Sequence, residues 1–454
     1  MDSKQVSTPG RGVESFMKTD GIYDWTRDGP GMYYVREAAT AGASIAFFVN
    51  AAPSALTESK VPCGGTLNAS SMTGPFVQYI ETVLAFWSDH NIKIDYISPM
   101  NEPDNNFNSC NQEGMAVSVS DRPGVFRGLR TALQQSTSAA AKNIKIMGDE
   151  TSQIASQALR HYNDWLPQTL QSSSIDAISA HMYDWPDDAT LANYAVLIKN
   201  VSAPNPPPAI KMTEISTFKT TDDQHKPWGW TGPGIMKGTQ WDPSIDSALD
   251  MARYIWQWLT LVNAESWDFW TAVSNMMPCS PAANATCATA FSAAGGYNDA
   301  LLYIDPNYAA TKNYQFYFTK RFWVFRHFTK FIRPGSVRYD IPNEVLPYGT
   351  VAVASLGPDG AWNTVFVNRN ATAQDVIMKM PGRGGKILGV TKTTAQQDWG
   401  SVQAPTVARD DTVKFSLPAR GVLSMQFSVE RRAVARDVGE GWGREEQGWE
   451  RWRQ

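Results

Sequence analysis

Six times between Ile45 and Trp270 a short apolar run ends abruptly in polar, aromatic or proline residues, and helix-patterned sequence leads to the next. The runs are Ile45–Val49, Ile94–Asp104, Ile144–Gly148, Ile175–Ala180, Ala209–Ser216 and Ser266–Trp270. They are rich in Val, Ile and aromatics and too short for helices, so they read as strands. Unbroken hydrophobicity means burial on both faces, the mark of parallel strands covered by helices. That alternation allows an open doubly wound sheet or a closed barrel. The chain has no Gly-x-Gly-x-x-Gly and no Gly-Lys-Ser/Thr loop, which weakens a nucleotide-binding sheet. Polar groups at successive strand ends suit a barrel, whose site is built at that face. A barrel of this type has eight units and six are counted, so two are expected to be missing on the amino-terminal side.

Between the strands, Gly31–Ala41 is expected to be a helix, and a second one is expected to carry Pro75 in its first turn. Asp242-Pro243 is expected to cap a long amphipathic helix through Leu259, and one aromatic-rich helix is expected over Tyr308–Phe331. After Arg333-Pro-Gly335 the texture changes to short strand-like runs separated by Gly, Pro and Asp turns, which reads as a β-sandwich. The expected organisation is therefore a loose segment 1–22, a (β/α) barrel over 23–333, a sandwich over 334–430 and a disordered tail over 431–454. At 454 residues a chain exceeds what one core normally supports, in agreement with two domains.

The net charge of −4 gives no basic footprint for nucleic acid, and no apolar run approaches the roughly 20 residues that span a bilayer. The five histidines and four cysteines lack metal-ligand spacing, so neither metal nor other cofactor is expected. Cys279 and Cys287 are close enough to staple one loop, and Cys63 and Cys110 could join the loops of adjacent strands. This is one of three pairings that four cysteines allow. Sequons at Asn68, Asn200, Asn284 and Asn370, beside an even cysteine count, point to an oxidising, secreted environment, although no signal-peptide pattern opens the chain.

Two glutamates stand out. Glu102, between Asn101 and Pro103, follows the second strand run, and Glu214 ends the fifth. Each alone reads as readily as a solvated loop residue or an arginine partner. Together at strand ends of one barrel mouth they form the carboxylate pair that glycosidic cleavage requires. Asp149 and Glu150 also end a strand, where one of them suits a structural salt bridge. His181, Tyr183 and Trp185 follow another strand, and Trp267 and Trp270 a further one; these are candidates for sugar contact or for packing. Trp228-Gly-Trp230 with Trp241 could rim a groove or pack a loop.

At this point a family resemblance is visible. Ser98-Pro-Met-Asn-Glu-Pro-Asp104, Gly148-Asp-Glu-Thr-Ser152, Ala180-His-Met-Tyr-Asp184, Lys211-Met-Thr-Glu-Ile215, Trp267-Asp-Phe-Trp270 and Leu417-Pro-Ala-Arg-Gly421 resemble glycoside hydrolase family 30. The likeness is strongest to fungal endo-β-1,6-galactanase-like members and covers about residues 23–429. It implies a (β/α)8 barrel with a side β-sandwich and retaining hydrolysis of β-1,6-galactan, with Glu102 as acid/base and Glu214 as nucleophile. It also implies Asn101 beside the sugar 2-hydroxyl, a polysaccharide or oligosaccharide as partner, and a monomer. Members begin with sandwich strands and two barrel units upstream of anything in this chain. The rival readings are an inactive, truncated carbohydrate-binding remnant, a related endo-glycanase on β-1,6-glucan or glucuronoxylan, and a chain that does not fold stably.

Overall fold

The computed structural model describes residues 6–7, 12–19, 22–57, 59–105, 107–216, 241–342 and 345–430. The Trp228-Gly-Trp230 segment and the 431–454 tail lie outside the described residues, as does part of 1–22. The chain divides into two compact units, one of residues 1–214 with 262–268 and one of 215–261 with 269–454.

The first unit is organised by six parallel strands: β1 (Ala46–Phe48), β2 (Tyr96–Ser98), β3 (Lys145–Thr151), β4 (Ala177–His181), β5 (Ala209–Glu214) and β6 (Ser266–Trp267). They lie side by side in chain order, each hydrogen-bonded to the next. A doubly wound sheet reverses its strand order at a switch point; this one never does, and it is the wall of a (β/α)8-type barrel. All five residues of β4 and the last six of β3 are buried, the apolar start of each strand and its polar end alike.

Helices α1 (Gly29–Thr40), α2 (Ala69–Asp89), α3 (Arg122–Gln135), α4 (Leu159–Gln171) and α5 (Asp188–Ser202) fill the crossovers. Consecutive helices α2 to α5 pack against one another. Helix α3 turns Val125, Phe126, Leu129 and Leu133 inward, and α4 turns Tyr162, Trp165 and Leu166 inward. One expectation is corrected here. Helix α2 begins six residues before Pro75, which sits inside it rather than in its first turn. Within 12–19, Met17–Thr19 pairs with Ile22–Tyr23, and Phe16 is buried against Trp25 and Trp87. Cys63 and Cys110 are bonded, which ties the loop after β1 to the loop after β2.

The second unit holds helices α6 (Ile245–Gln257) and α7 (Lys320–Phe331), a small three-stranded sheet of Val273–Ser274, Leu302–Tyr303 and Tyr317–Phe318, and the eight strands of a sandwich. These are β7 (Val337–Tyr339), β8 (Thr350–Leu356), β9 (Trp362–Asn368), β10 (Gln374–Lys379), β11 (Arg383–Thr393), β12 (Gly400–Ser401), β13 (Thr412–Leu417) and β14 (Gly421–Glu430). Six form an antiparallel sheet in the order β7-β8-β9-β14-β11-β12, and β10 pairs with β13. Phe366, Val376, Met378, Val413, Leu417, Leu423, Met425 and Phe427 fill the space between the two sheets. Arg369 of the sandwich reaches Asp246 of α6 at 2.5 Å and Asp250 at 3.4 Å, and His327 of α7 bonds Ser424 and Thr393.

Two more expectations change. The cap of α6 is Ser244, whose hydroxyl accepts from the Asp246 amide; Asp242 instead accepts from the Ser244 amide. The aromatic helix expected over Tyr308–Phe331 is a short turn, Tyr308–Thr311, then an extended piece, Tyr317–Phe318, then α7. Lys312 takes a left-handed backbone at φ 57°, which ends the first turn, and Asn313 anchors the extended piece by donating to the Tyr317 hydroxyl. Cys279 and Cys287 are bonded within this unit. No helix among the described residues is long and apolar enough to cross a membrane. Of the four sequons, Asn200 and Asn284 are exposed, and Asn68 and Asn370 are half-buried.

Candidate active site

Four successive strand ends of the first unit converge. Past β2 the prolines stop the strand, and Glu102 takes a left-handed backbone at φ 43°. Its amide donates to the Glu150 carbonyl at 3.0 Å, so the end of β2 is bonded across to the end of β3. Glu150 is itself left-handed at φ 60°. A glutamate in this region is uncommon and marks a backbone held by its surroundings. Asp104 does part of the holding: it accepts from the Ser152 amide at 3.0 Å, from the Ser152 hydroxyl and from Thr151.

Beneath the loops, Asp149 is fully buried, paired with Arg122 at 2.5 Å and bonded by the Tyr162 hydroxyl at 2.9 Å. Of the two acidic residues ending β3, Asp149 makes the structural salt bridge and Glu150 turns toward the other glutamates. His181, the last residue of β4, is 2% exposed and sits among them. Its Nδ1 lies 3.1 Å from Glu102 Oε1 and 4.0 Å from Glu214 Oε1, and its Nε2 lies 3.4 Å from Glu150 Oε2. Both ring nitrogens face carboxylates. Two residues on, the Tyr183 hydroxyl donates to Glu214 Oε1 at 2.7 Å. Thr213, just before Glu214 on β5, donates its hydroxyl to Glu150 Oε2.

The electrostatics follow from this packing. Burial alone would push the His181 imidazole down, but Glu214, Glu102 and Glu150 together raise it well above the ordinary histidine range. Burial pushes the Glu214 carboxyl up; Glu102 and Glu150 add to the rise, while His181 and the Tyr183 hydroxyl oppose it. One ligand-type atom each from Glu102, His181 and Glu214 lies within 4.8 Å of the others.

The other sequence candidates fall in several places. Asn101 is buried, and its Oδ1 has no hydrogen-bond partner among the described residues. Trp185 is half-buried with a left-handed backbone, and its amide donates to the Met182 carbonyl. Trp267 is buried on β6, whereas Trp270 belongs to the second unit, with its ring exposed. Trp241, in the second unit, is buried edge-on against Tyr303 rather than rimming a groove. Sequence reading missed Glu150 as a member of the carboxylate cluster. The available signal was the Asp-Glu pair at a strand end, where one residue was already needed for Arg122.

A family model described as O-Glycosyl hydrolase family 30 matches residues 3–278. No curated protein matches the chain. Among solved structures, the catalytic domain of xylanase C from Talaromyces cellulolyticus, titled as a GH30 enzyme, superposes with a TM-score of 0.67. It is 15% identical, over 92% of this chain and 86% of that one. A conserved exported protein from Bacteroides fragilis gives 0.71 at 20% identity, over 93% and 84%. The endo-beta1,6-glucanase BT3312 gives 0.58 at 13% identity, over 92% and 82%. At such identities the likeness is one of fold.

Proposed function

Because this chain belongs to O-glycosyl hydrolase family 30, we propose that it is a retaining endo-glycanase acting on β-1,6-galactan. In this reading Glu102 is the acid/base and Glu214 the nucleophile. The observation that carries it is the approach of one oxygen of Glu102 to within 4.8 Å of one oxygen of Glu214. Retaining enzymes hold their carboxyl groups about 5–5.5 Å apart, whereas inverting ones leave about 6.5–9.5 Å for a water. Glu102 protonates the departing glycosidic oxygen while Glu214 attacks the anomeric carbon. Glu102 then takes the proton of the water that releases the sugar from Glu214. The unpartnered Asn101 Oδ1 is suited to accept from a sugar hydroxyl, and Trp185 to pack on a ring.

The linkage rests on the motif resemblance, and the two disulfides fit an oxidising, extracellular setting. The test is incubation of the purified protein with β-1,6-galactan, β-1,6-glucan and glucuronoxylan, with the first-formed anomer followed by NMR. Release of β-anomer from the galactan is expected. Release from another polymer alone overturns the specificity. Stabilisation by a polymer without product makes the chain a binding remnant. Glu214→Gln is expected to abolish turnover, since an amide forms no glycosyl-enzyme; a Glu214→Gln protein that still turns over removes Glu214 from its role.

A further inference from the structure

Glu150 has no part in the two-carboxylate scheme, yet it touches every strand that carries it. Its backbone carbonyl receives the Glu102 amide, its Oε2 receives the Thr213 hydroxyl, and the same oxygen lies 3.4 Å from His181 Nε2. It is 2% exposed, and its other carboxylate oxygen has no hydrogen-bond partner among the described residues. A buried carboxylate so placed is costly unless a cation answers it. Arg122 is taken by Asp149, and Lys211 lies over the Tyr96 ring, 3.9 Å from Glu265. Among the described residues, His181 is the basic side chain in contact.

We propose that Glu150 is a positioning residue for the glycosidase chemistry. Its carboxylate acts as counter-ion to His181, keeps the imidazole doubly protonated, and aims Nδ1–H at Glu102 Oε1. The inference rests on the roles proposed for Glu102 and Glu214. An imidazole between two acceptor-only carboxylates donates from both nitrogens. With the His181 proton fixed on Nδ1, the transferable proton of Glu102 is left to Oε2, the oxygen that Asn105 reaches at 3.4 Å. Without Glu150 the ring would be free to lose a proton and rest as the Nε2–H tautomer, whose bare Nδ1 could accept the Glu102 proton and so sequester the acid. The remaining titratable neighbours are Glu214 and Tyr183 beside His181, and Tyr194 and Asp268, whose charge states Glu150 influences.

The test is ring ¹⁵N NMR of histidine-labelled protein without substrate, with His181 assigned by loss of its signals in His181→Asn. In the wild type both nitrogens are expected to be protonated at pH 7.5. In Glu150→Gln the titration midpoint is expected to fall by about 1–3 pH units, with kcat down about tenfold and KM little changed. Glu150→Asp, which keeps the charge, is expected to restore most of both. A singly protonated wild-type ring at pH 7.5, or an unmoved midpoint in Glu150→Gln, overturns the proposal. If Glu150→Gln does not fold, the wild-type ring decides alone. The ring signal needs no substrate, so this inference can fail while hydrolysis stands, and the reverse.

Discussion

The hydroxyl of Tyr183 donates to Glu214 Oε1 at 2.7 Å, and its backbone amide donates to the Ser152 carbonyl at 3.0 Å. The phenol is thus tied at its base to the loop after β3 and at its tip to the glutamate ending β5. Because this bond favours the ionised carboxylate, its loss raises a Glu214 carboxyl that burial has already pushed up. In the proposed mechanism, attack needs Glu214 ionised. The acid limb of kcat/KM is therefore expected above the ordinary glutamate range of about 4.3, and Tyr183→Phe is expected to move it higher still. A hydrogen bond to a charged group is worth about 1.5–3 kcal/mol, so kcat is expected to fall roughly 10–150-fold. Pre-steady-state and pH–rate measurements on both proteins check the two effects.

The stability of the second unit is expected to depend on His327. Burial, with Arg326 adding to it, pulls this imidazole down to about 3. Thr393 spends its hydroxyl proton on the Asp398 carbonyl, so His327 Nε2–H donates to Thr393 and Nδ1 accepts from Ser424. A histidine kept neutral in the fold stabilises it fully above the unfolded value near 6.5. That contribution is lost as pH falls from there toward 3, at about 1.4 kcal/mol per pH unit. His327→Gln is expected to flatten the acid side of the melting curve plotted against pH, at the cost of some stability at neutral pH.

The two disulfides are expected to differ in worth. Cys63–Cys110 closes a separation of 47 residues and Cys279–Cys287 one of 8. Loop-closure entropy alone assigns them about 4 and about 2.5 kcal/mol. Paired Cys→Ala variants, compared by denaturant unfolding, are expected to rank in that order.

Gly148→Ala is expected to destabilise the first unit by about 1–3 kcal/mol. An added Cβ would clash with the Phe126 ring, which is itself fully buried and stacked on Trp165 at 5.5 Å. The ring has nowhere to go. Since Gly148 precedes Asp149 and Glu150, activity is expected to fall along with the melting temperature.

Strands and their order were legible because each parallel strand lies in a short, largely apolar run that ends in a proline, polar or aromatic cluster. The sandwich was legible for the converse reason, its short alternating runs and turn residues. The aromatic helix over Tyr308–Phe331 was not: helix-compatible residues fill it, and the break depends on one left-handed backbone at Lys312. At the site, Glu102 and Glu214 could be read from their strand ends. The place of Glu150 could not, because it depends on which of two adjacent acids Arg122 claims, a choice made by α3 some 27 residues upstream in sequence. For His181 the sequence leaves sugar contact and packing both open, because its own segment shows nothing of what surrounds the ring. Three carboxylates converging on it are a property of the curled sheet and not of its own segment.

The in-order parallel sheet has one last consequence. Glu102 and Glu214 leave strands β2 and β5, three spacings apart, and at about 4.8 Å per spacing a flat sheet would hold those strand ends roughly 14 Å from each other. Two glutamate side chains reaching inward close part of that gap, and the arc of the wall closes the rest, so that their oxygens come within 4.8 Å. In the reaction proposed above, the separation of the two carboxylates is therefore a mechanical quantity of this chain. It is set by how tightly four strands arc, and a substitution that relaxes the arc from the helix side would change it without touching a single reacting group.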